Sequence, residues 1–108
     1  RWMQTSSNSE VANFPTNSEE KGNYKGTQGS TNKAIPTGSN SSYAVNNIYD
    51  MAGNVHDWTI EAISTDFRVL RGGAYYGTAS DGPASFRYGH APIGSDSSGG
   101  CRSTLYIK

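Results

Sequence analysis

Few side chains in this sequence can do chemistry, and their numbers say which kinds. Cys101 is the single thiol in 108 residues, and His56 and His90 are the two imidazoles. One thiol excludes an internal disulfide framework and any zinc site built on several thiolates. His90 by itself is neither a catalytic nor a metal motif. What remains is recognition chemistry. Tyr76, Phe86 and Tyr88 offer rigid aromatic area at low entropic cost, and Asp81, His90 and Asp96 offer polar direction, the combination that antibody loops use.

The residues around these side chains are unusual in what they omit. From Ala62 to Ile107, 46 consecutive positions, there is no Lys, Glu, Gln, Met or Trp, whereas the first 61 residues hold thirteen of them. At that frequency about ten would be expected, and low complexity does not account for the gap. Codons ending in a pyrimidine encode every amino acid except those five. A segment whose codons were randomised at the first two bases, with C or T fixed at the third, would show this pattern and would form a surface meant to vary. A loop set that merely lacks long side chains has the same composition.

Length allows one domain with a modest core. Hydrophobic residues make up 33% of the chain, with 13 glycines, and mean hydropathy is −0.68. Two Trp, seven Tyr and three Phe argue against disorder, so a folded, loop-heavy domain is expected. Nine basic and nine acidic residues cancel without a basic stripe, which argues against nucleic acid and against a polybasic membrane anchor. Apolar runs are too short for a spanning helix. The one sequon, Asn40-Ser41-Ser42, is expected by chance in so much Asn and Ser.

Arg1 to Gln4 is compatible with a helix end. Thr5 to Ser42 is Ser, Thr, Asn and Gly punctuated by Val11, Phe14, Tyr24, Ile35 and Pro36, which predicts long irregular structure held by a few anchors. A turn at Gly53-Asn54 leads into a strand over 55–60, with Val55, Asp57 and Thr59 on one face and His56, Trp58 and Ile60 on the other. That alternation predicts Trp58 as a core anchor. Further strands are expected at 67–71, 84–88 and 102–108, with loops over 74–83 and 89–100.

The blocks Asn47-Ile48-Tyr49-Asp50-Met51-Ala52-Gly53-Asn54-Val55-His56-Asp57-Trp58-Thr59, Arg68-Val69-Leu70-Arg71-Gly72-Gly73 and Gly100-Cys101-Arg102 resemble the formylglycine-generating enzyme family, the sulfatase-modifying factors. Its pattern runs roughly YDM-GNVWEWT, RVLRGGSW and GFR. The resemblance covers residues 43–108 well and Ala12-Asn13 and Gly26-Thr27 faintly. It implies an α+β, C-type-lectin-like fold of the formylglycine-generating subclass, one loop-rich domain over 1–108 that is N-terminally incomplete. The enzymes hold Cu(I) between two cysteines. Here Cys101 falls on the Phe of the GFR block, and the segment 86–98 that should carry the thiols has none, so no copper and no enzymatic activity are expected. A copper oxidase acting on a sulfatase cysteine is the alternative, and an inactive structural relative a third.

Within that fold, RV-RGG-YY, PAS-R and GCRSTLYIK resemble the variable proteins of diversity-generating retroelements, in which error-prone copying of AAC and AAT codons diversifies a lectin-fold surface. The residue set open to such codons is the one inferred from the five missing types. The resemblance implies a variable region of approximately 68–102. Its framework would be Arg68, Arg71, Gly72, Gly73, Tyr75, Pro83, Ala84, Ser85, Arg87, Pro92 and 102–108. Its ligand-binding positions would be Ala74, Tyr76, Gly77, Asp81, Gly82, Phe86, Tyr88, Gly89, His90, Ala91, Gly94, Asp96, Ser97, Ser98 and Gly99, with Leu70, Ile93 and Cys101 further possibilities. The expected partner is a protein or glycan on another cell, met by a domain displayed on a phage tail or bacterial surface. By the same carry-over, Asp50, Gly53, Val55 and Asp57 match a structural Ca²⁺ loop of the enzyme family. The family's other calcium loop fits less well, because Asn13 is present but Gly22 stands where an acid is expected.

Overall fold

The computed structural model describes residues 14–27, 30 and 32–103. The predicted helix end at 1–4, the anchor Val11, Ala12-Asn13 and most of the predicted strand at 102–108 lie outside the described residues. Among these described residues there are six short strands: β1 (Ala44–Val45), β2 (Ile48–Tyr49), β3 (His56–Ala62), β4 (Arg68–Arg71), β5 (Arg87–His90) and β6 (Gly99–Gly100). Single 3-10 turns form at Glu19–Lys21 and Ser41–Tyr43. β1 and β2 make a hairpin. Its two loop residues, Asn46 and Asn47, both have positive φ (49° and 64°), the backbone a tight two-residue hairpin requires.

The main sheet has the order β5-β4-β3-β6, antiparallel except where β3 runs parallel to β6. Cross-strand partners share a face, so the registers fix the two sides. Trp58, Leu70 and Tyr88 align on one side, and Asp57, Arg71 and Arg87 on the other. On that second side Glu61 accepts from Arg71 Nη2 at 3.0 Å and from Arg87 Nε and Nη2 at 2.9 and 2.8 Å. Hydrogen bonds from the two guanidiniums hold its carboxyl below the usual carboxylate range.

The sequence placed two of these strands with small shifts and missed others. The strand expected at 84–88 begins at Arg87, because Phe86 N–H closes a turn onto Pro83 O at 2.8 Å and takes 83–86 out of the sheet. Arg102 and Ser103 are not in a strand, and the chain pairs earlier, through Gly99–Gly100. Trp58 is only half-buried and is not the core anchor. The core instead lies between the irregular first part of the chain and the turns, as Phe14, Tyr24, Val45, Ala52 and Ala79 with Met51 and Ala84 against them. Of the expected anchors, Phe14 and Tyr24 are fully enclosed, Ile35 is half-buried and Pro36 is exposed.

Two side chains tie these parts together. Tyr24 Oη donates to Gly82 O at 2.7 Å and lies 3.3 Å from Gly72 O, and burial pushes its phenol far above its ordinary range. Gly73, at φ +68°, passes so close that a Cβ there would strike Gly82 O and come within 3.0 Å of the Tyr24 ring. Asn54, buried and at φ 63°, behaves as a piece of strand turned sideways. Its amide accepts from Ile35 N–H at 2.8 Å and donates to Ile35 O at 2.9 Å. Its backbone N–H donates to Asn23 O and its carbonyl accepts from Tyr75 N–H, both at 2.9 Å. Gly53 makes this approach possible, since a Cβ there would meet Asn23 O at 2.7 Å.

Replacing Asn54 with Ala deletes the amide's bonds to Ile35 and to Asn23 and leaves a Cβ residue in left-handed backbone, so a loss of about 2–4 kcal/mol is expected. Tyr24→Phe, which strands one buried carbonyl, should cost about 1–2 kcal/mol. Denaturant melts measure both, and an unchanged midpoint for Asn54→Ala would refute its role as the tie.

Candidate ligand-binding face

The side of the sheet that carries Trp58 and Tyr88 is a continuous row of rings. Tyr75 and Tyr76 meet edge to face at 5.5 Å, Tyr76 meets His56 at 6.0 Å, and His56 stacks on Phe86 at 5.7 Å. Phe86 and Tyr88 lie nearly parallel, 14° apart at 6.3 Å, followed by His90 and then Trp58. β3 contributes His56 and Trp58, β5 and the turn before it contribute Phe86, Tyr88 and His90, and the loop after β4 contributes the two tyrosines. Alternation along β3 and β5 aims these rings the same way, so the row follows from strand parity and register.

Tyr76 and Tyr88 are 55% and 50% exposed and form its open surface. His56 is buried beneath them, its Nε2 hydrogen-bonded to Tyr76 Oη at 3.1 Å. Burial lowers its pKa, with Asp96 and Asp57 pulling the other way. Its Nδ1 is buried and without a partner among the described residues. Asp96 closes one end of the row. Its Oδ1 accepts from Ser98 N–H and Oγ at 2.8 and 2.7 Å, which holds its carboxyl below the usual range. Gly82 runs beside Phe86 in the middle of the row, and the exposed Asp81 turns its Oδ2 to Thr78 Oγ1 at 2.6 Å.

The fifteen expected ligand-binding positions do not all reach this surface. Tyr76, Asp81, Tyr88, Gly94 and Ser97 are exposed, and Gly77, Phe86, His90, Ala91 and Asp96 are half-buried. Ala74, Gly82 and Ser98 are buried and serve the framework instead. Gly89 is paired with Val69 and belongs to the opposite face, where a Cβ would meet Ile63 Cδ1 at 2.6 Å. Gly99 is strand β6, and a Cβ there would sit 3.2 Å from Trp58 Nε1. His56, Trp58 and Tyr75 join the row although none was among the fifteen. The shared parity of His56 and Trp58 was the available signal, and assigning Trp58 to the core concealed it.

The expected calcium ligands are partly brought together. Asp50, Val55 and Asp57 line one hollow of about 260 Å³ with Thr37, Asn54 and Arg102. Gly53 is not in its wall and lies against Asn23. Asp50 Oδ2 accepts from Gly38 N–H at 2.9 Å, and Arg102 reaches Asp50 O at 2.8 Å and Asp57 Oδ2 at 3.3 Å. Burial nevertheless raises the Asp57 carboxyl above its ordinary range despite Arg102, with Asp50 adding a smaller rise. Three of the four positions therefore fit a hard cation bound by oxygen. Among the described residues no group of three or more His, Cys, Asp or Glu comes together, which leaves main-chain carbonyls and water to complete such a shell.

A mixed, mostly antiparallel sheet under irregular loops, tied at a Gly-Asn turn and an Arg-Gly-Gly corner, is the C-type-lectin-like fold in its formylglycine-generating form. The chain matches the sulfatase-modifying factor enzyme 1-like domain over residues 2–105 and belongs to that family. Among solved structures it is similar to Treponema denticola variable protein 1, with 25% identity and a TM-score of 0.58 over 77% of this chain and 35% of that one. It thus spans about a third of that relative's length. No curated protein sequence matches it.

Because Tyr76 and Tyr88 stand half in solvent, Tyr76→Ala and Tyr88→Ala should each leave the melting temperature within a few degrees of the parent. A large drop in a thermal scan would make them core residues rather than surface.

Proposed function

We propose that this chain is a non-enzymatic, hypervariable ligand-binding domain diversified by a retroelement. The observation that carries this reading is the ring row. Tyr76, Phe86, Tyr88 and His90, all of residue types that randomised AAY codons can encode, converge on one side of the sheet. The resemblance of the fold to a variable protein supports it. The lone Cys101, exposed and off the ring row, supports the absence of two-thiolate copper chemistry. Display on a phage tail or a bacterial surface, with a macromolecule on another cell as partner, is the setting that suits such a face.

Deep sequencing of codons 68–102 in the population carrying the gene tests the reading. Substitutions confined to the first two bases of pyrimidine-ending codons, concentrated at Tyr76, Asp81, Phe86, Tyr88, His90, Ala91, Gly94, Asp96 and Ser97, are the expected result. A uniform sequence would count against diversification and favour an inactive family relative.

We further propose Ca²⁺ in the hollow between Asp50 and Asp57, where it would supply positive charge beside Arg102 and stiffen the turn that leads into β3. Titrating chelator-treated protein with Ca²⁺ should release or take up heat and raise the melting temperature, and Asp57→Asn should remove both effects. A flat calorimetric trace for the parent protein removes the ion.

A further inference from the structure

We infer that the ligand of this particular chain is a cationic peptide segment, whose arginine or lysine side chains lie on the Tyr76, Phe86 and Tyr88 rings beside Asp96. The inference rests on the reading of the ring row as a binding face and adds the charge and class of what it takes.

The first argument is the chemistry of the rings. An aromatic face carries negative potential, and a guanidinium or ammonium placed over it is attracted, more so when water is excluded. Phe86 and Tyr88, nearly parallel at 6.3 Å, make a two-ring platform of the size of an extended side chain. Tyr76, held by His56 Nε2, stands beyond His56 and extends the platform with a fixed hydroxyl.

The second argument is charge complementarity. The Asp96 carboxylate lies near His90 and His56 at the edge of the row. The arginines of the sheet are already engaged. Arg71 and Arg87 occupy the opposite face and share Glu61. Arg102 is held by Asp57 and Asp50 O, and Arg68, paired with His90 on the ring side, spends its guanidinium on the carbonyls of Ser64, Thr65 and Phe67. Lys25 lines a separate hollow with Thr78, Ala79 and Ser80. A cation arriving at the row therefore meets π faces and a carboxylate, whereas an acidic ligand would meet the same groups as repulsion.

The same chemistry favours peptide over a neutral glycan, because sugar hydroxyls bring no cation to the π faces, whereas Arg and Lys side chains do.

Panning random linear peptides displayed on phage, against the whole chain and in parallel against its Tyr76→Ala/Tyr88→Ala variant, tests the assignment. The expected result is a set of peptides that need the two tyrosines and are enriched in Arg and Lys. In fluorescence anisotropy, labelled oligoarginine should then bind and oligoglutamate should not. Tyr88→Leu, which keeps apolar bulk but loses the π face, should weaken oligoarginine about fivefold, and Asp96→Asn should weaken it in the same direction. Tyrosine-dependent peptides without Arg or Lys, or indifference of oligoarginine to Tyr88→Leu, would overturn the cationic assignment while leaving the face a binding site. A complete lack of tyrosine-dependent peptides would overturn both.

Discussion

The structure depends on a close approach between two stretches that carry almost no side-chain bulk. Asn23 and Gly53 run side by side as a parallel bridge, and the backbone can come that near only because residue 53 has no Cβ. Once they meet, Asn54 is committed to left-handed backbone. Its side chain then fastens Ile35, its N–H takes Asn23 O, and its carbonyl takes Tyr75 N–H. The irregular first part of the chain, the turn into β3 and the loop after β4 thus share one residue. Tyr24, next to Asn23, adds the connection to Gly82. With so few aliphatic residues in the core, this polar junction takes on ordering work that a larger domain would assign to packing.

Such an arrangement explains which parts could be seen in the sequence. β3 and β4 were visible because alternation and β-branched content are local signals, and the Gly53-Asn54 turn because its residue types tolerate positive φ. The hairpin at Asn46-Asn47 uses the same chemistry but was hidden inside a motif taken whole. β6 was invisible because two glycines have no pattern, and their pairing is imposed by His56 N–H reaching Ser98 O at 2.7 Å. The start of β5 was misplaced by the turn at 83–86, whose donor, Phe86 N–H, looks no different in sequence from a strand donor. The pairing of Asn54 with Ile35, 19 positions apart, leaves no periodic trace at all.

The candidate site was legible at the level of residue type and much less at the level of position. Tyr76, Phe86 and Tyr88 were identified from chemistry, and they do converge. Ala74, Gly82 and Ser98 were grouped with them because codon accessibility says nothing about burial, and each is enclosed. Gly89 lies away from them for a different reason: a strand alternates, so a position between two residues on the ring side must face the other side of the sheet. The sheet divides its labour along that alternation. One side holds Glu61 with Arg71 and Arg87 as a closed charge cluster, and the other holds the rings.

The ties that hold the loops end on main-chain atoms. Tyr24 takes Gly82 O, Arg71 takes Ser85 O, Lys25 N–H takes Gly77 O, His56 N–H takes Ser98 O, and Arg102 takes Asp50 O. Every residue type carries that carbonyl. The scaffold therefore grips its loops without reading their side chains, so the ring-row positions whose own Cβ is unhindered can be rewritten with little hereditary penalty. On the proposed function, folding and recognition would become separately inherited traits within one short chain, one encoded in the donors of the framework and the other in the letters that those donors ignore.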